Sequence, residues 1–253
     1  MRRNNARQRS SDAILLITTF LFCTTLLCFC GIGNAAAPLK VTKSPSTGVA
    51  RFVVPTDSIP ITVAAASATR GVTPLDILNT YGNLFGIADS QQQLVLKQAM
   101  ADRQRNTHTT YQQVHDGVPV FAGLMRVHMD EQNRMRAING TFIPDIAVSV
   151  KPVLSASEAI AVALEDAAIR FGEAVSVGEM QPTLYVFRKN LARGISGTNH
   201  LVWEVEVGKG TTIREFIYVD AHKGGVVERI SGIHEAIHRR VYDQGFGDDF
   251  LVW

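Results

Sequence analysis

The residues with the clearest chemical spacing are His234-Glu235-Ala236-Ile237-His238. On a helix this H-E-x-x-H pattern sets two imidazoles one turn apart, with a carboxylate beside them able to polarise a zinc-bound water. A catalytic zinc of this kind needs a third protein ligand, usually a carboxylate about twenty residues beyond the second histidine. Only fifteen residues follow His238, none of them Glu, and Asp243, Asp248 and Asp249 come too early. Gly232 and Gly245 also confine the helix. The spacing therefore predicts His234 and His238 on the flank of a terminal helix whose Ile233, Ile237 and Val241 face the core. No catalytic residue is expected, and His234, Glu235 and His238 are weak candidates for a metal contact.

No other constellation is stronger. Ser196-Gly197 and Ser231-Gly232 lack the G-x-S-x-G frame, and neither a phosphate-binding loop nor a dinucleotide glycine pattern is present. Glu204 with Glu206, and Asp248 with Asp249, read as solvated or outward strand positions. His108, His115, His128, His200 and His222 are scattered and read as surface or strand residues.

The elements around these residues begin with an address. MRRNNARQR precedes an apolar run from Ala13 to Ile32 and then the small residues Gly33 to Ala37, the three-part layout of a secretory signal peptide. Cleavage is expected after Ala35 or Ala36, because Pro38 hinders a cut after Ala37. The run is also long enough to span a bilayer, so an uncleaved anchor is the alternative. All three cysteines, Cys23, Cys28 and Cys30, lie inside it, which leaves the exported portion without a disulfide. The chain has 25 Lys and Arg against 23 Asp and Glu; without Arg2, Arg3, Arg7, Arg9 and Asp12 the balance is 21 against 22. That near-neutrality lacks the basic excess nucleic-acid binding draws on. The expected location is secreted or periplasmic, with membrane contact only if the signal segment is retained.

Residues 37–70, rich in Ser, Thr, Pro and Ala, predict an extended lead-in of low order. Thr73-Pro74 opens a helix with Leu75, Leu78, Phe85 and Ile87 as apolar contacts, weakened by Gly82 and Gly86. Alternation from Leu94 predicts strands, and Asp116-Gly117 a tight hairpin turn between Thr109–Val114 and Val118–His128. Pro119 must then occupy an edge or bulge. A turn at Asp130–Asn133 leads into a strand at 134–139. Pro144 and Pro152 mark a linker. Ser155-Ala156-Ser157-Glu158 is a capping box for a helix reaching about Phe171, with Ile160, Ala163, Leu164 and Ala167 on one face. Strands follow at 183–188, 200–207, 214–220 and 226–230. The fold class is α+β, two small units over 71–143 and 152–233, each an antiparallel sheet packed with one main helix. Residues 234–253 form a junction helix and an apolar tail.

Tyr111-Gln112-Gln113, then Gly117-Val118-Pro119-Val120-Phe121-Ala122-Gly123, His128 and Ile138-Asn139-Gly140, resemble the FTP (fungalysin/thermolysin propeptide) domain. Ser155 to Ile233, with Leu201-Val202-Trp203-Glu204-Val205 and Phe216-Ile217-Tyr218-Val219-Asp220, is similar to the PepSY-type unit that follows it in thermolysin-like zinc metallopeptidase precursors. The resemblance covers roughly residues 70–245 and places His234-Glu235-x-x-His238 at the junction with the mature enzyme. It implies a secreted prodomain-like protein, an inhibitor or folding chaperone whose partner is a thermolysin-like metallopeptidase catalytic domain. No cofactor is implied, since zinc belongs to the catalytic domain, which this sequence lacks. The candidate contacts are Tyr111, Gln112, Gly117, Pro119, Phe121 and Gly123 on the hairpin, and Phe250 and Trp253 in the tail. Two other readings are a truncated fragment of such a precursor and a membrane-anchored envelope binding module.

Overall fold

Leu39–Lys43 (β1) and Ala50–Pro55 (β2) form an antiparallel hairpin where the sequence predicts a lead-in of low order. Its turn is closed by Ser44 N–H to Val49 O and Gly48 N–H to Ser44 O, both 2.8 Å. Few local apolar positions announce it, because β2 is held by a strand far along the chain. The computed structural model describes residues 38–67 and 71–233. The signal-like segment with its cysteines lies outside the described residues, as do His234, Glu235, His238, Phe250 and Trp253.

Pro74–Tyr81 (α1) begins at Thr73, as the sequence predicts, and the cap is stronger than expected. Thr73 Oγ1 accepts from Asp76 N–H at 3.3 Å, while Asp76 Oδ2 accepts from Thr73 N–H at 2.8 Å, a reciprocal capping box. Ile77 and Leu78 are buried. Gly82–Phe85 tightens into a 3₁₀ turn and a single turn, Ser90–Gln93 (α2), follows.

Leu94–Ala101 (β3), Thr107–His115 (β4), Val118–Met129 (β5) and Met135–Gly140 (β6) make an antiparallel meander, joined at β6 by β2 through Phe52↔Asn139 and Val53↔Ile138. Its inner face packs on α1 through Tyr111, Met125, Val127, Met129 and Ile138. Ala156–Phe171 (α3) carries the predicted Ser155/Glu158 capping box. It covers a second sheet of Ser176–Val177 (β7), Thr183–Arg188 (β8), Asn199–Lys209 (β9), Ile213–Asp220 (β10) and Val226–Ser231 (β11). Ala159, Ala163 and Ala167 have no bulk beyond Cβ, which brings the helix close to Val205, Val207, Ile217 and Val219.

The fold class is α+β. The two sheets are continuous: β5 pairs with β8 in parallel through Val120↔Val186, making one eleven-stranded sheet. The stretch between them is packed, with Ile143 buried and the Leu154 carbonyl accepting from Trp203 Nε1 at 2.9 Å. Ile233, expected against the core of a terminal helix, is 41% exposed beyond β11, where its N–H donates to the Ser231 hydroxyl.

Among the described residues, the partly or fully buried carboxylates Asp130, Asp166 and Asp220 couple this fold to pH. Burial raises the pKa of Asp130, but the Arg134 N–H and guanidinium and the Gln132 N–H outweigh it and hold the group below its ordinary value. Asp220 balances the same way, with burial opposed by His200 and the N–H groups of His222 and Lys223. Asp166 is lowered first by its bond from Arg229. A carboxylate whose folded pKa is depressed binds protons less readily than the unfolded chain does, so its contribution is complete above about pH 4 and drains as pH falls through the folded value. Urea midpoints are expected to fall steadily from pH 4 to pH 2, less steeply in Asp220→Asn; a midpoint that holds constant there would contradict these assignments.

Candidate partner-binding surface

The surface is built on the hairpin of β4 and β5. Its tip is the two-residue turn Asp116 (φ 47°) and Gly117 (φ 81°), both positive as a type I′ turn requires. Val114 pairs with Pro119, yet Gln112 pairs with Leu124, so the four residues Val120 to Gly123 face Gln113 alone, three more than an even ladder holds. This wide bulge is where Pro119 is tolerated, and it re-aims β5 so that Val120 reaches β8.

Two glutamines hold the bulge. Gln112 Nε2 donates to the carbonyls of Val120 at 2.7 Å and of Gly123 and Gln113 at 3.0 Å, taking the place of ladder donors. Gln113 is 1% exposed; its Oε1 accepts from Ile143 N–H at 2.9 Å and its Nε2 donates to Ile143 O at 2.7 Å. Gly123 makes room for that clamp, since a Cβ there would lie 2.9 Å from Gln113 Oε1. Ala122 (φ 56°) carries the left-handed backbone that the bulge imposes.

Phe121 leaves the bulge toward the second sheet. Its ring packs 5.0 Å from Tyr218, 5.1 Å from Phe187 and 5.8 Å from Tyr185. Tyr218 donates its hydroxyl to Glu204 at 2.7 Å, and burial first, then that carboxylate, pushes its pKa far up, so it stays a neutral donor. Beside this cluster opens a groove of about 850 Å³, lined by Phe121, Ala122 and Phe187, by Gly140 at the end of β6, by Arg51 and Ser46 from the first hairpin, and by Arg193, Glu228 and Arg229.

Of the sequence candidates, Phe121 faces this groove and Gly117 is exposed at the hairpin tip. Tyr111 is buried in the first core, Gly123 is buried beneath the bulge, and Gln112 and Pro119 are half-buried in it. The structure therefore separates these residues, which the sequence treats as one contact set. Sequence reasoning missed Gln113, Phe187 and the Arg51 wall; a Y-Q-Q run alone does not say which glutamine turns inward. It also missed Thr198 Oγ1 at 2.8 Å from His200 Nε2, with His200 Nδ1 2.9 Å from Asp220 Oδ2. Asp220 Oδ1 also accepts from His222 and Lys223 N–H, so this chain of contacts braces the turn after β10. β3 is an edge strand with Val95, Leu96 and Met100 each more than half exposed.

The fold and the bulged hairpin define a class: an α+β chain carrying, over residues 92–142, the Fungalysin/Thermolysin Propeptide Motif. That match runs from the end of α2 to just past β6. The chain is similar to the propeptide region of thermolysin-like metallopeptidase precursors, and among curated proteins to a bacillolysin of Brevibacillus brevis, 25% identical over 129 residues. The match covers 48% of this chain and 23% of that protein. Among solved structures, the Bacillus megaterium YpeB C-terminal domain is 14% identical, with a TM-score of 0.35 over 76% of this chain and 75% of that one. No helix among the described residues is long and apolar enough to cross a membrane.

Proposed function

We propose that the chain acts as a prodomain-like partner of a thermolysin-like zinc metallopeptidase, restraining the enzyme or assisting its folding from outside the cytoplasm. The observation that carries this reading is the propeptide motif over residues 92–142, whose most distinctive residues build the β4–β5 bulge. The groove beside Phe121 supplies the chemistry of contact: an aromatic floor able to take an apolar side chain, and a rim of Arg51 and Arg193 able to meet carboxylates. The signal-like N-terminus and the secreted context of such precursors support an exported location.

The purified chain is expected to slow cleavage of a peptide substrate by a bacillolysin-type enzyme with an inhibition constant of about 1 μM. Arg51 is exposed, so Arg51→Glu should leave the melting profile unchanged and weaken inhibition about fivefold to tenfold, most visibly at low salt. A chain that is folded and soluble but leaves both the rate and the refolding yield of the enzyme unaltered would contradict the proposal.

A further inference from the structure

His108 and His128 are direct cross-strand partners on β4 and β5. Their Nδ1 atoms approach to 2.6 Å, with the rings edge to face. The far side of each ring fixes what those atoms can be. His108 Nε2 lies 3.4 Å from Asp102 Oδ2, and a carboxylate only accepts, so this nitrogen carries the hydrogen. His128 Nε2 lies 2.7 Å from Asn139 Oδ1, likewise an acceptor. With each Nε2 donating in this way, the two Nδ1 atoms face each other with one electron-pair acceptor to share, a proton or a metal ion. The same pattern surrounds metal-bound histidine: one nitrogen free to ligate, the other donating to an oxygen that fixes the ring and raises its basicity.

We propose that His108 and His128 form a binding site for a divalent first-row transition ion of the nickel, copper or zinc class, held by the two Nδ1 atoms with water completing the sphere. Imidazole nitrogen suits these ions over magnesium or calcium. Bonds of 2.0–2.1 Å in a tetrahedral site set two nitrogens about 3.3 Å apart, so the rings need to open by about 0.7 Å. They have room, because both line an open cavity of about 520 Å³ with Phe52, Asp102, Arg136 and Ala137. No group of three or more His, Cys, Asp or Glu converges among the described residues, so the protein supplies two ligands. Arg126 and Arg136 oppose a cation here while Asp102 favours one, a balance that sets micromolar rather than nanomolar affinity.

This site does not rest on the propeptide reading. It is tested on the full chain carrying His234→Ala and His238→Ala, which removes the other pair of histidines able to hold zinc. Calorimetric titration with Zn²⁺ at pH 7 is expected to give one ion per chain with a dissociation constant of about 10 μM. His128→Ala should weaken this at least tenfold and Asn139→Ala about tenfold, and binding should fade toward pH 5.5 as protons compete. Nitrogen-15 spectra of the imidazoles read the site without disabling it: zinc should shift Nδ1 of both rings while Nε2 stays protonated. Equal zinc affinity in a folded His128→Ala chain, or Nδ1 resonances that do not move at about 1 mM zinc, a hundredfold excess over the expected constant, overturns the proposal.

Discussion

Gly140→Ala is expected to cost about 3–5 kcal/mol, enough to unfold a large share of a domain whose total stability is about 5–15 kcal/mol. Gly140 ends β6 at φ 150°, opposite Met125, and a Cβ built there would stand 2.0 Å from the Leu124 carbonyl oxygen and 2.9 Å from Met125 Cα. Both obstacles are backbone, so no rotamer change relieves the clash. The end of the β5–β6 ladder must open, and with it the Thr141 N–H bond to Leu124 O. Gly117→Ala is the control: its φ of 81° is also left-handed, but nothing lies within 4 Å, so only the backbone preference of about 1 kcal/mol is lost. Urea unfolding of the two variants should differ by several kcal/mol in that order. Gly140→Ala within about 1 kcal/mol of the parent would show that the strand end is not packed this way.

Gln113→Leu is expected to cost about 3 kcal/mol despite preserving bulk, because it strands the N–H and C=O of Ile143, a residue 1% exposed, without partners. Gln113→Glu separates hydrogen bonding from shape more sharply. Its carboxylate can still accept from the Ile143 N–H, but it turns an oxygen where Nε2 donated to Ile143 O. At pH 7 the variant should be at least as unstable as the leucine change. Burial and the facing carbonyl oxygen raise the pKa of the introduced carboxyl, so it takes up a proton on folding and regains a donor as pH falls toward 5. Stability that rises on acidification over that range, opposite to the parent's trend below pH 4, is the signature. Parallel pH profiles for Gln113→Glu and Gln113→Leu would contradict the clamp.

What the sequence makes legible is local. Ser155 and Glu158 sit three residues apart before alanines alternating with Ile160, Val162 and Leu164, and α3 starts where they say. Asp116-Gly117 announces its turn for the same reason: only those two positions need positive φ. The docking of β1 and β2 is not local, since Val53 finds its partner Ile138 on β6, far along the chain. Nor is the bulge. Counting back from the Asp116-Gly117 turn with an even ladder would set His108 opposite Met125; the extra residues opposite Gln113 slide β5 by three and bring His128 there instead. That slip explains why the two histidines look scattered along the chain and meet in space. The groove is hidden similarly, because Phe121 and Phe187 belong to strands joined only by the parallel contact at Val120 and Val186.

The measurement closest to the central claim is the mass of the species formed when the purified chain is mixed with a thermolysin-like catalytic domain whose catalytic glutamate has been replaced, so that nothing is cleaved. Gel filtration with light scattering at about 10 μM of each is expected to show a one-to-one complex that dissociates on adding a tight active-site inhibitor or on replacing Arg51 by glutamate together with Arg193. Two separate peaks at that concentration, from components each shown to be folded, would contradict the account.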